Sequence, residues 1–341
     1  MSIWGRFLSL FSKDMAMDLG TANTLVYVKG EGIVVNEPSV VVIDRNTEEP
    51  KAVGHEAKHM FGMTPDDLIA VRPMKDGVIA DFFVTQKMIT YFLKKAAKAK
   101  TLRSPKLIVC IPSGITQVEK KAVKESAINA GARKVYLIEE PMAAAVGAGL
   151  PVESSVSMVV DIGGGTTEAA VISLSATAFQ KSLRIAGDEM DEAIMNHMRY
   201  EHKLVIGPYQ AEEIKIKIGS AAPLQEKMTF VARGKDLVKG VPKAIEVNDD
   251  EVRYALEIPI KAIVEVVDEA LSGTSAELAA ELTKTGVMIT GGGSLLRGLD
   301  KRIADETRIK IHRAQNPLES VVMGSGKVLE DFKLLKKICI T

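Results

Sequence analysis

With 341 residues, the chain is long enough for two compact lobes and too long for one comfortable small domain. Apolar residues at 46% and charged residues at 26% exclude a chain that is disordered overall. Lys+Arg and Asp+Glu cancel at 44 each, which argues against a nucleic-acid protein working by bulk electrostatics and lowers the barrier to self-association.

At the N-terminus Ile3, Trp4, Phe7, Leu8 and Phe11 fall on one face of a helix, with Ser2, Gly5, Arg6, Ser9 and Ser12 on the rest. A short aromatic-rich face of this kind predicts an interfacial anchor; the alternatives are an unordered end or a helix docked on the first lobe. No small-residue cleavage site follows it, and no run of about 18 apolar residues occurs, so neither secretion nor a membrane span is expected. Residues 17–28 then read as strand, glycine-bearing turn and strand, a β-hairpin. The loop 100–104 offers only Leu102 as a second apolar contact for a membrane.

Residues 106–111 form an apolar strand that ends at Pro112-Ser113 and carries Cys110 as a buried, inert thiol. Cys110 and Cys339 are the only cysteines and make neither a metal pattern nor a disulfide framework, which fits a reducing cytoplasm. Thr116 and Glu119 make a capping box for a helix running to Ala130 and stopped by Gly131. A strand at 134–138 leads through Glu139-Glu140-Pro141 into a small-residue helix at 142–149. Two readings of Glu140 stand: a carboxylate favoured beside a helix N-terminus, or a group that orients or deprotonates a water.

The hairpin at 17–28 is echoed at residues 160–171, with Asp, Gly, Thr and Val recurring in register. Gly20, Gly163, Gly164 and Gly165 let backbone N–H groups approach an anion closely, and Thr21, Asn23, Thr24, Thr166 and Thr167 add short donors. Asp18 and Asp161 would repel phosphate unless a cation intervened, which suggests a hydrated Mg²⁺. Either turn alone is also explained as a plain hairpin; two of them at a lobe-sized offset point to phosphate binding. Further on, Gly187 opens a helix with Asp188 as its expected N-cap. Residues 211–218 form another, with Ile214 and Ile218 on one face and Glu212 and Lys215 as an i,i+3 ion pair. A short strand at 229–232 precedes Gly234. A last buried strand at 287–290 runs into Gly291-Gly292-Gly293-Ser294 and a helical 295–299, where a flat ring could lie against bare backbone or where the chain simply turns.

Two Asp-Gly hairpins, a connecting Glu-Glu-Pro segment and a late Gly-Gly-Gly-Ser resemble the actin-like ATPase superfamily. Asp18-Leu19-Gly20-Thr21-Ala22-Asn23-Thr24, the stretches 36–41 and 72–81, and Glu140-Pro141-Met142-Ala143-Ala144-Ala145 are similar in detail to the bacterial actins of the MreB family, across about residues 14–330. The resemblance implies an α/β, actin-like two-lobed fold of duplicated ribonuclease-H-like domains with nucleotide in the interlobe cleft. The first lobe would span 14–150 with an insertion at about 33–75, completed by 318–341; the second would span 151–317 with an insertion at about 190–245, after a membrane-binding segment at 1–13.

It implies further that Thr21, Ala22, Asn23, Gly164, Gly165 and Thr166 hold the phosphates of ATP, and that Glu212, Glu213, Ile214 and Lys215 meet the ribose and base side. Gly292, Gly293, Ser294 and Leu295 would face adenosine, Asp18 and Asp161 would act through water on Mg²⁺, and Glu140 with Thr167 would position the attacking water. Ala186 stands where the family usually has a second glycine, and residues 334–341 match nothing familiar. Implied by the same likeness are slow ATP hydrolysis coupled to polymer turnover, self-assembly into filaments that set rod shape by organising cell-wall synthesis, and a peripheral place at the inner face of the cytoplasmic membrane. So are contacts with cell-elongation proteins such as RodZ, MreC and MreD, and no nucleic-acid partner. A paralogue with the same filament chemistry, or a small-molecule kinase of the superfamily, is the alternative.

Overall fold

The computed structural model describes residues 13–97 and 104–340. The N-terminal apolar face and Leu102 lie outside the described residues. Two compact units emerge: one takes in the chain up to Ser157, Ile172–Ala178 and the part from Leu318 onward, the other Met158–Val171 and Phe179–Pro317.

The first unit is built on a five-stranded mixed sheet in the order Lys134–Glu139, Lys106–Ile111, Met15–Leu19, Asn23–Val28 and Gly32–Pro38. The first three strands are parallel and the last two continue antiparallel from them. Both faces are covered, which is why residues 107–111 read as an unbroken apolar run. Met15, Met17 and Leu19 alternate into a core with Val84, Met88, Ile89 and Phe92 of the helix Phe82–Ala97. Full burial of one such side chain contributes about 1.5–3 kcal/mol. The opposite face receives the helix Ser320–Glu330, where Ser325 Oγ lies 2.9 Å from Cys110 Sγ.

That helix packs backbone to backbone on the helix Glu140–Gly147. A Cβ at Gly324 would fall 1.8 Å from the Ala143 carbonyl oxygen, and one at Gly147 would fall 1.8 Å from that of Ser320. The final residues, unassigned by sequence, form a helix Phe332–Ile338 whose N-terminus is capped by the Asp331 carboxylate. Ile340 then exchanges backbone hydrogen bonds with Leu137.

A second five-stranded sheet, most of whose residues belong to the second unit, runs Ala176–Leu183, Thr167–Ser173, Ser157–Ile162, Val287–Thr290 and Ile311–Arg313. Its order repeats that of the first. In each case three consecutive strands form a meander, and two later parallel strands add on the far side of the first. The sequence echo is therefore the visible end of a structural duplication.

Each unit also carries a small three-stranded sheet: Pro50–Val53, Val41–Asp44 and Leu68–Val71 in the first, Leu204–Val205, Thr229–Asp236 and Pro242–Asn248 in the second. The strand at 229 does not stop before Gly234 but passes through it. Gly234 is what permits this, since a Cβ there would lie 2.2 Å from the Val205 carbonyl oxygen. Among the described residues no helix is long and apolar enough to cross a membrane.

Candidate functional site

In the first unit, register brings the predicted residues to one edge of the sheet. Met17 pairs with Val109 and Val109 with Leu137, so the parallel strands end together at the turn after Leu19, at Pro112 and at Glu139-Glu140. This is the carboxyl edge, where α/β sheets bind ligands. Residues 20–22 form the tight connection, and a Cβ at Gly20 would meet the Asn23 carbonyl oxygen at 2.8 Å.

Ser39 braces the turn from outside. Its hydroxyl donates to the Gly20 carbonyl at 2.7 Å and lies 2.9 Å from Thr24 Oγ1, while its N–H donates to the Ala22 carbonyl at 2.9 Å. Thr21 is nearly buried, and its Oγ1 accepts from the Gly77 N–H at 3.0 Å. Gly77 and Asp76 both have positive φ and make the two-residue turn of the hairpin Met74–Lys75 and Val78–Ile79. Sequence reasoning singled out these stretches only as family words; the structure makes them the scaffold of the turn.

Glu140 opens its helix, with Pro141 second. Burial pushes the Cys110 thiol well up, and the carboxylates of Asp18 and Glu140 each add to this against the Ser325 hydrogen bond. Asp18 and Glu140 thus both act electrostatically on one buried sulfur, although 122 positions separate them in sequence.

The second unit repeats the arrangement. Asp161 pairs with Thr290, so the turns after Ile162 and after Thr290 share the carboxyl edge. A Cβ at Gly291 would lie 2.3 Å from Asp161 Oδ1, and one at Gly293 would lie 2.3 Å from Ile162 Cγ2, which is why bare backbone is required there. In the 163–166 turn Gly163 N–H donates to Thr166 O, Gly187 N–H to Gly163 O and Asp188 N–H to Gly164 O, at 2.8, 3.2 and 2.7 Å. Three of its carbonyls and the Gly163 N–H are thereby spent, and the N–H groups of Gly164, Gly165 and Thr166 are the polarity left for a ligand.

The helix Gly187–Glu201, whose first two N–H groups donate to this turn, corrects one expectation. Asp188 is its second residue and not its N-cap; the Glu189 carboxylate reaches back to the Ala186 N–H at 2.7 Å instead. Ala186 is fully buried with φ −159°, extended backbone that does not call for glycine.

Lys215, on the helix Pro208–Ile218, is also tied in. Its ammonium donates to the Gly187 carbonyl at 2.7 Å and pairs with Asp191 at 2.8 Å, so it braces the start of the helix that holds the 163–166 turn. Burial pushes the Asp191 carboxyl up to about 6 while Lys215 pulls it back. Glu212 and Glu213 are half-buried beside it; Ile214 is fully buried with Ile218. Thr167 is fully buried and donates its hydroxyl to Ile185 O at 2.8 Å.

Residues Gly292–Leu295 form a 3₁₀ turn, followed by a helix only at Leu299–Thr307. Ser294 spends its hydroxyl on Gly291 O at 2.7 Å, and Leu295 is 46% exposed, so Leu295 is the side chain this turn presents. Arg297 joins this segment to the end of the Pro208–Ile218 helix: its guanidinium donates to Ile216 O at 2.9 Å and its carbonyl accepts from Ala221 N–H at 2.7 Å. The two segments assigned to the nucleoside are therefore neighbours.

Asp161 answers whether the residues suit a metal. It is 6% exposed, has no charged partner among the described residues, and burial alone pushes its carboxyl up to about 7. A desolvated carboxylate without a counter-charge is a group that gains by holding a cation, directly or through its water shell.

Comparison with known proteins agrees with this geometry. The profile of the MreB/Mbl protein family matches residues 12–337. The chain is 53% identical over 331 residues to the cell shape-determining protein MreB of Escherichia coli strain K12, covering 95% of each. It is 45% identical over 329 residues to the cell shape-determining protein Mbl of Bacillus subtilis strain 168, covering 96% of this chain and 99% of that one. The crystal structure of MreB5 of Spiroplasma citri bound to ADP superposes with a TM-score of 0.90 at 34% identity, over 96% of this chain and 98% of the other. The same protein is also solved bound to AMPPNP.

Proposed function

The chain belongs to the MreB/Mbl family, of actin-like fold, and from that premise we propose that it is an ATP-binding cytoskeletal protein whose filaments set cell shape. Slow hydrolysis of ATP times the turnover of those filaments. They lie at the inner face of the cytoplasmic membrane and organise cell-wall synthesis with elongation proteins such as RodZ, MreC and MreD. The observation that carries this reading is the duplicated Asp-Gly turn at the carboxyl edge of two sheets of identical order, in a family whose Spiroplasma citri member is solved with ADP and with the ATP analogue AMPPNP.

The residues divide the work by their hydrogen-bonding state. Thr21 Oγ1 already accepts from Gly77, so its own proton is available to a phosphate oxygen, together with the backbone of Ala22 and Asn23. Gly164, Gly165 and Thr166 supply N–H donors, held in place because their neighbours' carbonyls are tied to the next helix. The segments 212–215 and 292–295 receive the nucleoside. Asp161 and Asp18 hold Mg²⁺ through its waters, and the ion neutralises phosphate charge when bound. Thr167 donates to Ile185, so its oxygen offers lone pairs to the proton of an attacking water. Glu140 orients that water and takes its other proton, a role worth about 10²–10⁴-fold in rate.

Open head-to-tail contacts generate polymers, and many weak N-terminal anchors along a polymer gain avidity that one lacks. The test is light scattering and negative-stain microscopy of the purified chain, with and without ATP·Mg²⁺ and lipid. Filaments favoured by ATP are expected. A protein that stays monomeric in every condition would overturn the filament reading.

A further inference from the structure

The geometry points to a transition-metal site formed by His197, His202 and Glu251, made of residues outside the nucleotide segments and of the class that takes Zn²⁺. His197 lies in the last turns of the helix Gly187–Glu201, and His202 is the residue that caps it. Glu251 stands in the first turn of the helix Asp249–Ala255. One ligand atom from each lies within 4.8 Å of the other two. His197 Nε2 is 2.9 Å from Glu251 Oε1, and His202 Nε2 contacts the same oxygen. Two imidazole nitrogens and a carboxylate oxygen converging on one point are the donor set of three-ligand zinc sites, which keep a fourth position for water or another group.

The surroundings suit the assignment. The side chains are 10%, 29% and 21% exposed, so the site is shielded but not sealed from solvent. The ligands stand on fixed backbone. Asn248 caps the Glu251 helix by accepting its N–H at 3.0 Å, and the Lys243 ammonium holds the His202 carbonyl at 2.8 Å. The His202 N–H donates to Met198 O at 3.2 Å. Imidazole nitrogens favour Zn²⁺ over Mg²⁺, which separates this site from the oxygen-only groups proposed for the nucleotide's ion. A bound ion would clamp the end of one helix to the start of another, and by mass action would raise the stability of the second unit.

The test is calorimetric titration of the untagged, nucleotide-free full chain with Zn²⁺ in excess Mg²⁺, repeated with Co²⁺ as a spectroscopic probe. Expected are one equivalent bound, visible bands of a four-coordinate Co²⁺ site, and a rise in melting temperature with Zn²⁺. His202→Gln and Glu251→Gln each lower the affinity at least about tenfold and abolish the bands, while circular dichroism stays unchanged. If His197→Ala fails to fold, those two variants carry the test. Zn²⁺ binding equal in both variants, as at His55 and His59 elsewhere, overturns the assignment. So does the absence of Zn²⁺ binding in the folded parent chain, which would leave the three groups as a hydrogen-bonded cluster.

Discussion

Replacing Asp161 with Asn separates what this carboxylate costs the fold from what it gives the ligand. Burial pushes the carboxyl from 3.8 to about 7 in the folded chain. The folded state therefore binds the proton more tightly than the unfolded state. Stability from this group is full below about pH 4, falls as pH rises toward 7, and is flat above. At 1.36 kcal/mol for each tenfold change in proton affinity, the ionised side chain costs the metal-free fold at most about 4 kcal/mol. Asn keeps the volume and removes the charge, but its buried amide N–H groups lack partners, which costs about 1–3 kcal/mol. The net gain is about 1–3 kcal/mol at pH 8, a rise of roughly 2–4 °C in melting temperature per kcal/mol for a unit of this size. At pH 4–5 the gain vanishes. With Mg²⁺ and ATP the order inverts, because the parent is stabilised by binding and Asp161→Asn is not. Scanning fluorimetry at both pH values, with and without the ligands, reads all four states, and calorimetry gives the Mg²⁺-dependent affinity. A variant less stable than the parent at pH 8 without metal, or with unchanged Mg²⁺-dependent ATP affinity, would refute the reasoning.

Three further outcomes are expected. Glu140→Ala lowers ATP hydrolysis at least about tenfold while leaving nucleotide affinity nearly intact; a phosphate-release assay showing the parent rate would return Glu140 to a helix-terminus role. Gly324→Ala forces apart the helices Ser320–Glu330 and Glu140–Gly147, because its Cβ would lie 1.8 Å from a backbone oxygen. It costs about 1–3 kcal/mol net of any gain in helix propensity, and urea titration should show an earlier midpoint. Deleting residues 2–11 abolishes co-sedimentation with liposomes and leaves ATP-dependent assembly in solution; equal pelleting of the truncated chain would move the anchor elsewhere.

Local pattern carried much of this protein. The strands at 15–19 and 106–111 are legible because apolar side chains recur at the spacing of a covered sheet, and the Thr116–Glu119 capping box is complete within four residues. The two Asp-Gly turns are legible for the same reason, since the chemistry of a tight glycine-bearing turn is written in consecutive residues. Where neighbouring residues compete for one local task the pattern misleads. Asp188 has the right chemistry to cap its helix, but its N–H is taken by Gly164 and the longer Glu189 side chain reaches the vacant amide.

Tertiary structure decided what no spacing encodes. Gly77 reaches Thr21 across 56 positions, Lys215 reaches Asp191 on another helix, and Ser39 braces a turn from the far side of a hairpin. The unassigned tail is held because Ile340 finds the edge of the strand Lys134–Glu139. The convergence of His197 and His202 on Glu251 depends on two helices meeting, and nothing periodic in the sequence announces it. A repeating pattern reports which face of an element is buried; which element it is buried against follows from chain topology, and only the folded backbone supplies that.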